Sequence, residues 1–141
     1  MDEMYQMSQS FHIYSVIALV FVLVIMILVH KFSTDFRAFT KYIKILMIFH
    51  ISLASAAVLT GSIMMAVKHL SLSPSNLLMI IAIFIIATLE IKRNKALSQV
   101  IRFGLMSKMT YVKLGFRYQL IELILLISVG AFSGMSNAIS F

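Results

Sequence analysis

The chain has 141 residues, of which 61% are hydrophobic, and its mean hydropathy is +1.00; soluble domains are roughly 45–50% apolar. It carries a net charge of +7 and no cysteine, which excludes disulfides, thiolate metal sites, iron–sulfur clusters and covalently attached c-type haem. These values predict a membrane protein whose residues 1–141 form one integral membrane domain.

Four apolar stretches have the length of about 20 residues that a helix needs to cross a bilayer. They predict spans at about residues 11–30, 45–67, 74–91 and 116–135. The third span follows Ser73, which can cap a helix, and begins with Pro74, which suits the first helical position. The predicted fold class is an all-α membrane protein, a four-helix antiparallel transmembrane bundle.

The segment between the third and fourth spans has a helical pattern of its own. Its apolar residues recur at steps of three and four, with basic residues between them. They are Leu97, Val100, Ile101, Leu105, Met109 and Val112. This pattern is consistent with an amphipathic helix lying on the membrane surface. It is equally consistent with an extension of the third span that bends back into the fourth.

Charge predicts the orientation of the bundle. The first and third connections, with their flanking residues, hold all the lysines and arginines except Lys68. Basic connections stay on the cytoplasmic side, so both termini face outward, to the periplasm if the host is Gram-negative. The predicted location is the bacterial cytoplasmic (inner) membrane, with a first span retained as a helix and anionic lipids at the cytoplasmic face. Nucleic acid is not a predicted partner, because no soluble basic domain exists to bind it.

His50 and Glu122 are titratable residues inside apolar spans. His50 lies roughly 9 Å past Lys44 and Glu122 roughly 7.5 Å past Arg117, at about 1.5 Å of rise per residue. Because ionisable groups in a membrane usually face a partner inside the bundle, we expect these two to pair. The pair could be a proton relay, a His/Glu metal site, or an interhelical hydrogen bond that only fixes packing.

His30 and Glu90 lie near the ends of the first and third spans. Their positions place them on the same side of the membrane as the predicted pair. We therefore expect both to be peripheral to that pair and nearer the water.

The four histidines also suggest a cofactor. His12 and His30 are 18 residues apart and share a helix face, while His69 and His50 lie toward opposite ends of the second span. Antiparallel packing would create an outer pair, His12 with His69, and an inner pair, His30 with His50. Imidazole pairs can hold b-type haem, although histidines at a membrane edge can also be solvated side chains. No cofactor is certain from the sequence.

The first span opens with "FHI", and the second reads "FHISLASAAVLTGSIMMA". These two spans resemble the small histidine-bearing multi-span families around SirB, the CopD copper-resistance domain and the HemJ-type protoporphyrinogen oxidase. In those families a helix-borne histidine and a glycine toward the end of the span recur. The resemblance assigns these positions to His12, His50 and Gly61, and it implies an association with haem.

A soft-metal site is a further hypothesis. Met4 and Met7 follow Met1 at every third residue and precede His12. Thioether and imidazole ligands suit Cu(I). The alternative is that these methionines only fill packing gaps, since the chain contains 11 of them.

The chain shows no phosphate-binding loop, nucleophile elbow or acidic cation motif. It is therefore more readily interpreted as a non-enzyme. The favoured function is an accessory or assembly-type membrane subunit without an evident active site, working with membrane-protein partners or as a homo-oligomer. A haem-binding redox protein and a copper-handling protein facing the periplasm are the alternatives.

Overall fold

The computed structural model describes residues 2–67, 73–104 and 107–139. These residues form four helices: α1 Asp2–Phe32, α2 Phe36–Val67, α3 Pro74–Phe103 and α4 Lys108–Ile139. No strand occurs in the described ranges. All four helices contain a stretch long and apolar enough to cross a membrane, which confirms the predicted all-α four-helix bundle. The chain is a multi-pass membrane protein.

Local residues determine where the helices begin and end. Asp35 caps α2, because its carboxylate accepts from the backbone N–H of Arg37 at 3.1 Å and of Ala38 at 3.4 Å. The Ser73 hydroxyl accepts from the N–H of Asn76 at 3.2 Å, with Pro74 next in the chain, as predicted. Helix α3 ends at a left-handed residue, Gly104, whose φ is 59°.

The helices extend beyond the predicted spans, and this decides the nature of the segment between spans three and four. The amphipathic pattern is divided between the end of α3 and the start of α4, so it does not form a separate surface helix. Leu97 and Val100 are buried in the bundle, while Ile101 and Met109 are exposed. The structure shows the alternative, in which the third helix continues and then turns back into the fourth. Leu105 lies outside the described residues.

The order of packing leaves one side of the bundle open. Helix α1 packs against α2 and α4, and α3 packs against α4, whereas α2 and α3 make few direct contacts. A cleft therefore runs between α2 and α3. We call the end of the bundle that holds the α1–α2 and α3–α4 connections the basic end, because the lysines and arginines of the described residues gather there.

The hydrophobic core lies near the basic end. It joins residues of all four helices around Phe39 and Tyr111, whose rings meet at a centroid distance of 6.1 Å. Its buried members are Met26, Phe39, Ile43, Met47, Ala96, Leu97, Val100 and Tyr111. This core fixes the relative positions of the helix segments that carry the buried polar residues described next.

Candidate functional site

His50 lies at the centre of a buried polar cluster. Its side chain is 0% exposed and projects from α2 toward α3 and α4. Nδ1 contacts Oε1 of Glu90 on α3. Nε2 lies 3.8 Å from Oε2 of Glu122 on α4. The predicted pairing of His50 with Glu122 is therefore present, and the imidazole faces one carboxyl group on each side.

Arg93 completes the cluster. It lies one turn beyond Glu90 on α3, and its Nη2 donates to the same Oε1 that contacts His50. Arg93, His50 and Glu122 are fully buried, and Glu90 is 6% exposed. Three helices thus contribute four ionisable side chains to one volume inside the bundle.

Charge neutrality places a constraint on this cluster. With Arg93 charged and both carboxyl groups ionised, the cluster would carry one net negative charge. An uncompensated buried charge is costly in a membrane interior. One additional proton removes this cost, and His50, Glu90 and Glu122 are the three groups that can carry it. The distance from His50 to Glu122 is longer than a hydrogen bond, and a small change of side-chain rotamer would close it.

A polar stripe on α4 connects the cluster with the basic end. Among residues 108–133 of α4, whose side chains the structure describes, the buried ones are Tyr111, Gly115, Gln119 and Glu122, spaced at four, four and three residues. Such spacing places all four on one face of the helix. Within the described residues, both oxygens of Glu122 and the side-chain amide of Gln119 have no hydrogen-bond partner. These groups are free to bond with the protons, waters or ligands that the cluster admits.

A cavity of about 370 Å³ begins at His50 and extends away from the basic end toward His12 and Gly130. It occupies the cleft between α2 and α3, and most of its lining is aliphatic. His50 and Glu90 line it, whereas Glu122 and Arg93 are not part of the lining. The cluster is therefore reached from the cleft through His50 and Glu90 only.

His50, Glu90 and Glu122 also form a candidate metal-binding group. One donor atom from each of His50, Glu90 and Glu122 lies within 4.8 Å of the other two. Nitrogen and carboxylate ligands of this kind suit transition metals. The Arg93 guanidinium beside Glu90 opposes this use, because it already neutralises one of the two carboxylates and repels a cation.

Two expectations for peripheral residues are wrong. Glu90 does not lie near water but is buried against His50 and Arg93. His30 is 5% exposed, because its ring packs edge-on against Phe39 and against Gly115. An added Cβ at Gly115 would lie 2.5 Å from His30 Nε2, so the glycine creates the space that the buried ring occupies.

The histidines proposed for haem have separate sets of contacts. His30 Nδ1 donates to the carbonyl of Met26 at 2.8 Å, and the contacts of His50 are the two carboxyl groups already described. His12 Nδ1 donates to the carbonyl of Ala57 at 2.9 Å and lies 3.1 Å from Thr60 Oγ1. His69 and Lys68 lie outside the described residues. Haem binding by these histidines stays a prediction.

The proposed copper ligands lie at the far end of α1. Met4 and Met7 are exposed on its surface, while His12 Nδ1 bonds to α2 as described. Met1 lies outside the described residues. Copper binding by Met4, Met7 and His12 likewise stays a prediction.

Sequence reasoning missed Arg93, a member of the cluster, and Gln119, its neighbour on the α4 stripe. Arg93 was interpreted as one of the basic residues that set topology, but it continues the buried face of α3 that passes through Ile86, Glu90 and Leu97. Gln119 belongs to the α4 stripe. The three- and four-residue steps of both faces were the available signal.

No protein-family model, curated protein or solved structure matches the chain. The resemblance to the SirB, CopD and HemJ-type families stays a prediction. The geometry of the cluster and of the cleft is therefore the basis for the function proposed next.

Proposed function

We propose that the protein is an accessory subunit of the bacterial cytoplasmic membrane whose own contribution is a proton-exchanging centre at His50. The observation that carries this proposal is the imidazole between two carboxyl groups from two other helices, Glu90 and Glu122. Imidazole can accept a proton at one nitrogen while it releases one at the other. The single proton required for neutrality can thus move among the three groups.

Arg93 and the α4 stripe indicate with which side of the membrane this centre exchanges protons. Arg93 holds Glu90 on α3 and compensates one carboxylate, so that the remaining proton is shared across α2, α3 and α4. Gln119 and Tyr111 continue as buried polar side chains toward the basic end. By the distribution of basic residues that end faces the cytoplasm, with both termini on the opposite side. The centre would then exchange protons with the cytoplasmic side.

Nuclear magnetic resonance of ¹⁵N-histidine tests this function. The protein is placed in phosphatidylcholine nanodiscs, and the His50 ring signals are assigned by their loss in His50→Gln. We expect them to show exchange between protonation states or tautomers over the pH range in which the protein stays folded. Glu122→Gln should alter that exchange, because it removes one of the proton-carrying groups. Ring signals of a single neutral tautomer across the whole range would show that His50 serves packing only.

Binding of b-type haem is a second candidate, and one observation favours it. His12 donates Nδ1–H to the Ala57 carbonyl, which leaves Nε2 unprotonated as the nitrogen that can coordinate iron. His12 also lines the cavity between α2 and α3. A purified sample supplied with haem should then show a Soret band that disappears in His12→Ala and survives in His30→Ala. A colourless sample would exclude this candidate.

A further inference from the structure

The cavity between α2 and α3 has His50 and Glu90 at one end, which we call the polar end. Aliphatic residues such as Ala54, Ile83 and Ile86 form most of the remainder, and His12, whose Nδ1 bonds to the Ala57 carbonyl, lines the other end. Its volume of about 370 Å³ is in the range of small-molecule sites, roughly 300–1,000 Å³. A matching molecule has a small polar group attached to an apolar body.

The cavity opens toward the lipid. Ile51, Val58 and Ile91 line it and are also exposed on the surface of the bundle, Ile91 by 69%. In a bilayer these side chains contact acyl chains. A ligand would therefore enter sideways from the membrane and would itself be lipid-soluble.

A second cavity continues the first along the cleft. Its volume is about 500 Å³, and the two share lining residues that include His12, Ala57 and Met79. It extends toward Ser73 and Ser75 at the start of α3. The cleft thus has room for a ring at the His50 end and for an attached apolar chain along α2 and α3.

The charges at the polar end select among lipid-soluble head groups. A fatty acid would bring another carboxylate toward Glu90 and Glu122 and would add an unpaired charge inside the bundle, which is strongly unfavourable. A cationic amphiphile would have to replace the neutralising proton, and the buried guanidinium of Arg93 beside Glu90 would repel it. A neutral head group that carries oxygen atoms avoids this cost.

We propose that the cleft binds a lipid-soluble p-quinone and its quinol, with one ring oxygen at His50 and Glu90 and the tail along α2 and α3. This proposal rests on the proton-exchanging centre proposed above, because it requires both a donor and an acceptor at the same place. Both ring nitrogens of His50 face carboxyl groups, so the ring oxygen would bond to Oε2 of Glu90, which has no hydrogen-bond partner. The Glu90 carboxyl group donates to the carbonyl of the quinone when it holds the exchangeable proton, and it accepts from the hydroxyl of the quinol when His50 or Glu122 holds that proton.

The experiment uses the same His50 ring signals in phosphatidylcholine nanodiscs. Decylubiquinone is added as the probe, and decylbenzene serves as a matched compound that has the ring and tail without the oxygens. We expect decylubiquinone to shift the His50 signals in a saturable way and decylbenzene to leave them unchanged. Equal shifts with both compounds would overturn the proposal, because the oxygens would then not be recognised.

Cavity-filling variants locate the binding site. Ala54→Phe places a large ring in the cleft one turn from His50 and should weaken decylubiquinone binding by about tenfold or more, or about 1.4 kcal/mol. Ala66→Phe makes the same change at an exposed position of α2 outside both cavities and should bind as the unsubstituted protein does. If Ala54→Phe does not fold, Ala87→Phe fills the cavity from the more exposed side of α3. Unchanged binding in a folded cavity-filling variant would overturn the proposed site.

The two proposals fail in different ways. A His50 ring that changes protonation with pH but does not respond to decylubiquinone contradicts the quinone site and leaves the proton-exchanging centre intact. A ring that stays in one neutral tautomer contradicts the centre itself. A saturable quinone effect on such a fixed ring would overturn the exchange argument, and the cleft would then be a binding site of another kind.

Discussion

The basic end of the bundle is closely packed, whereas the opposite end contains the cleft between α2 and α3. At the basic end an aromatic and aliphatic core surrounds Phe39 and Tyr111, and a buried ionic cluster joins α2, α3 and α4. At the opposite end α1 contacts α2 through small residues, with the His12 ring 3.4 Å from the position of an added Cβ at Gly61. Helix α3 packs mainly against α4.

This difference shows that the contacts holding the helices together are distributed unevenly along the bundle. Lipid tails are as apolar as leucine side chains, so helices associate through close packing and polar contacts and gain little from hydrophobic burial. The basic end has both kinds of contact between several helix pairs. At the opposite end, close packing and polar contacts occur between α1 and α2. Helix α3 stands apart from α2 and forms one wall of the cleft. Variants that change either a polar contact or a close-packed position test whether the two ends contribute unequally to stability.

The largest effect is expected from Arg93→Leu. The substitution leaves Glu90 buried without its cation, and breaking a buried ion pair costs about 3–5 kcal/mol. The free energy of unfolding, measured by titration with SDS and followed by circular dichroism, should fall by that amount. Arg102→Leu is the matched control, because Arg102 is exposed on the same helix and its loss should change little.

Removing both partners of the Arg93–Glu90 pair refines this test. The double variant Glu90→Leu with Arg93→Leu should recover most of the lost stability, since two apolar side chains can replace a buried ion pair. Equal stabilities of Arg93→Leu and Arg102→Leu would contradict the structural importance of the cluster.

A smaller effect is expected from Gly115→Ala. The added methyl group would lie too close to the buried ring of His30, and overpacking of this kind typically costs about 1–3 kcal/mol. Gly130→Ala is the matched control on the same helix, because nothing lies within 4 Å of its added Cβ. Thermal unfolding in detergent measures the loss of stability in both variants.

The variant with Gly115→Ala and His30→Ala together separates steric conflict from other effects of the new methyl group. If His30 is the cause, the methyl group should cost almost nothing in the background that lacks the ring. An equal cost in both backgrounds would mean that α4 itself resists the substitution.

The smallest effect is expected from Thr60→Val at the opposite end. It removes the hydroxyl that lies 3.1 Å from His12 Nδ1, and interhelical hydrogen bonds in membranes average about 0.6 kcal/mol. Thr88→Val is the matched control. Each hydroxyl donates to the carbonyl four residues earlier in its own helix, that of Ala56 for Thr60 and that of Phe84 for Thr88, but Thr88 is exposed. A larger loss for Thr60→Val than for Arg93→Leu would reverse the comparison between the two ends.

Part of the site could be predicted because depth along a helix follows from residue spacing. His50 and Glu122 were paired in this way, and the structure places them 3.8 Å apart. The contact between His50 and Glu90 was missed because the third helix was expected to leave the membrane soon after Glu90. Its continuation to Phe103 keeps both Glu90 and Arg93 inside the bundle.

The all-helical membrane fold follows from the amino-acid sequence, because four long apolar stretches separated by polar connections have few other solutions in a bilayer. The start of α3 at Ser73 and Pro74 also follows from the sequence, since capping depends on neighbouring residues. Which faces of the helices meet is known only from the packed bundle. The residues that Arg93 meets inside the bundle, the packing of His30 against Gly115 and the separation of α2 from α3 all depend on contacts between distant segments, which spacing along one helix does not specify.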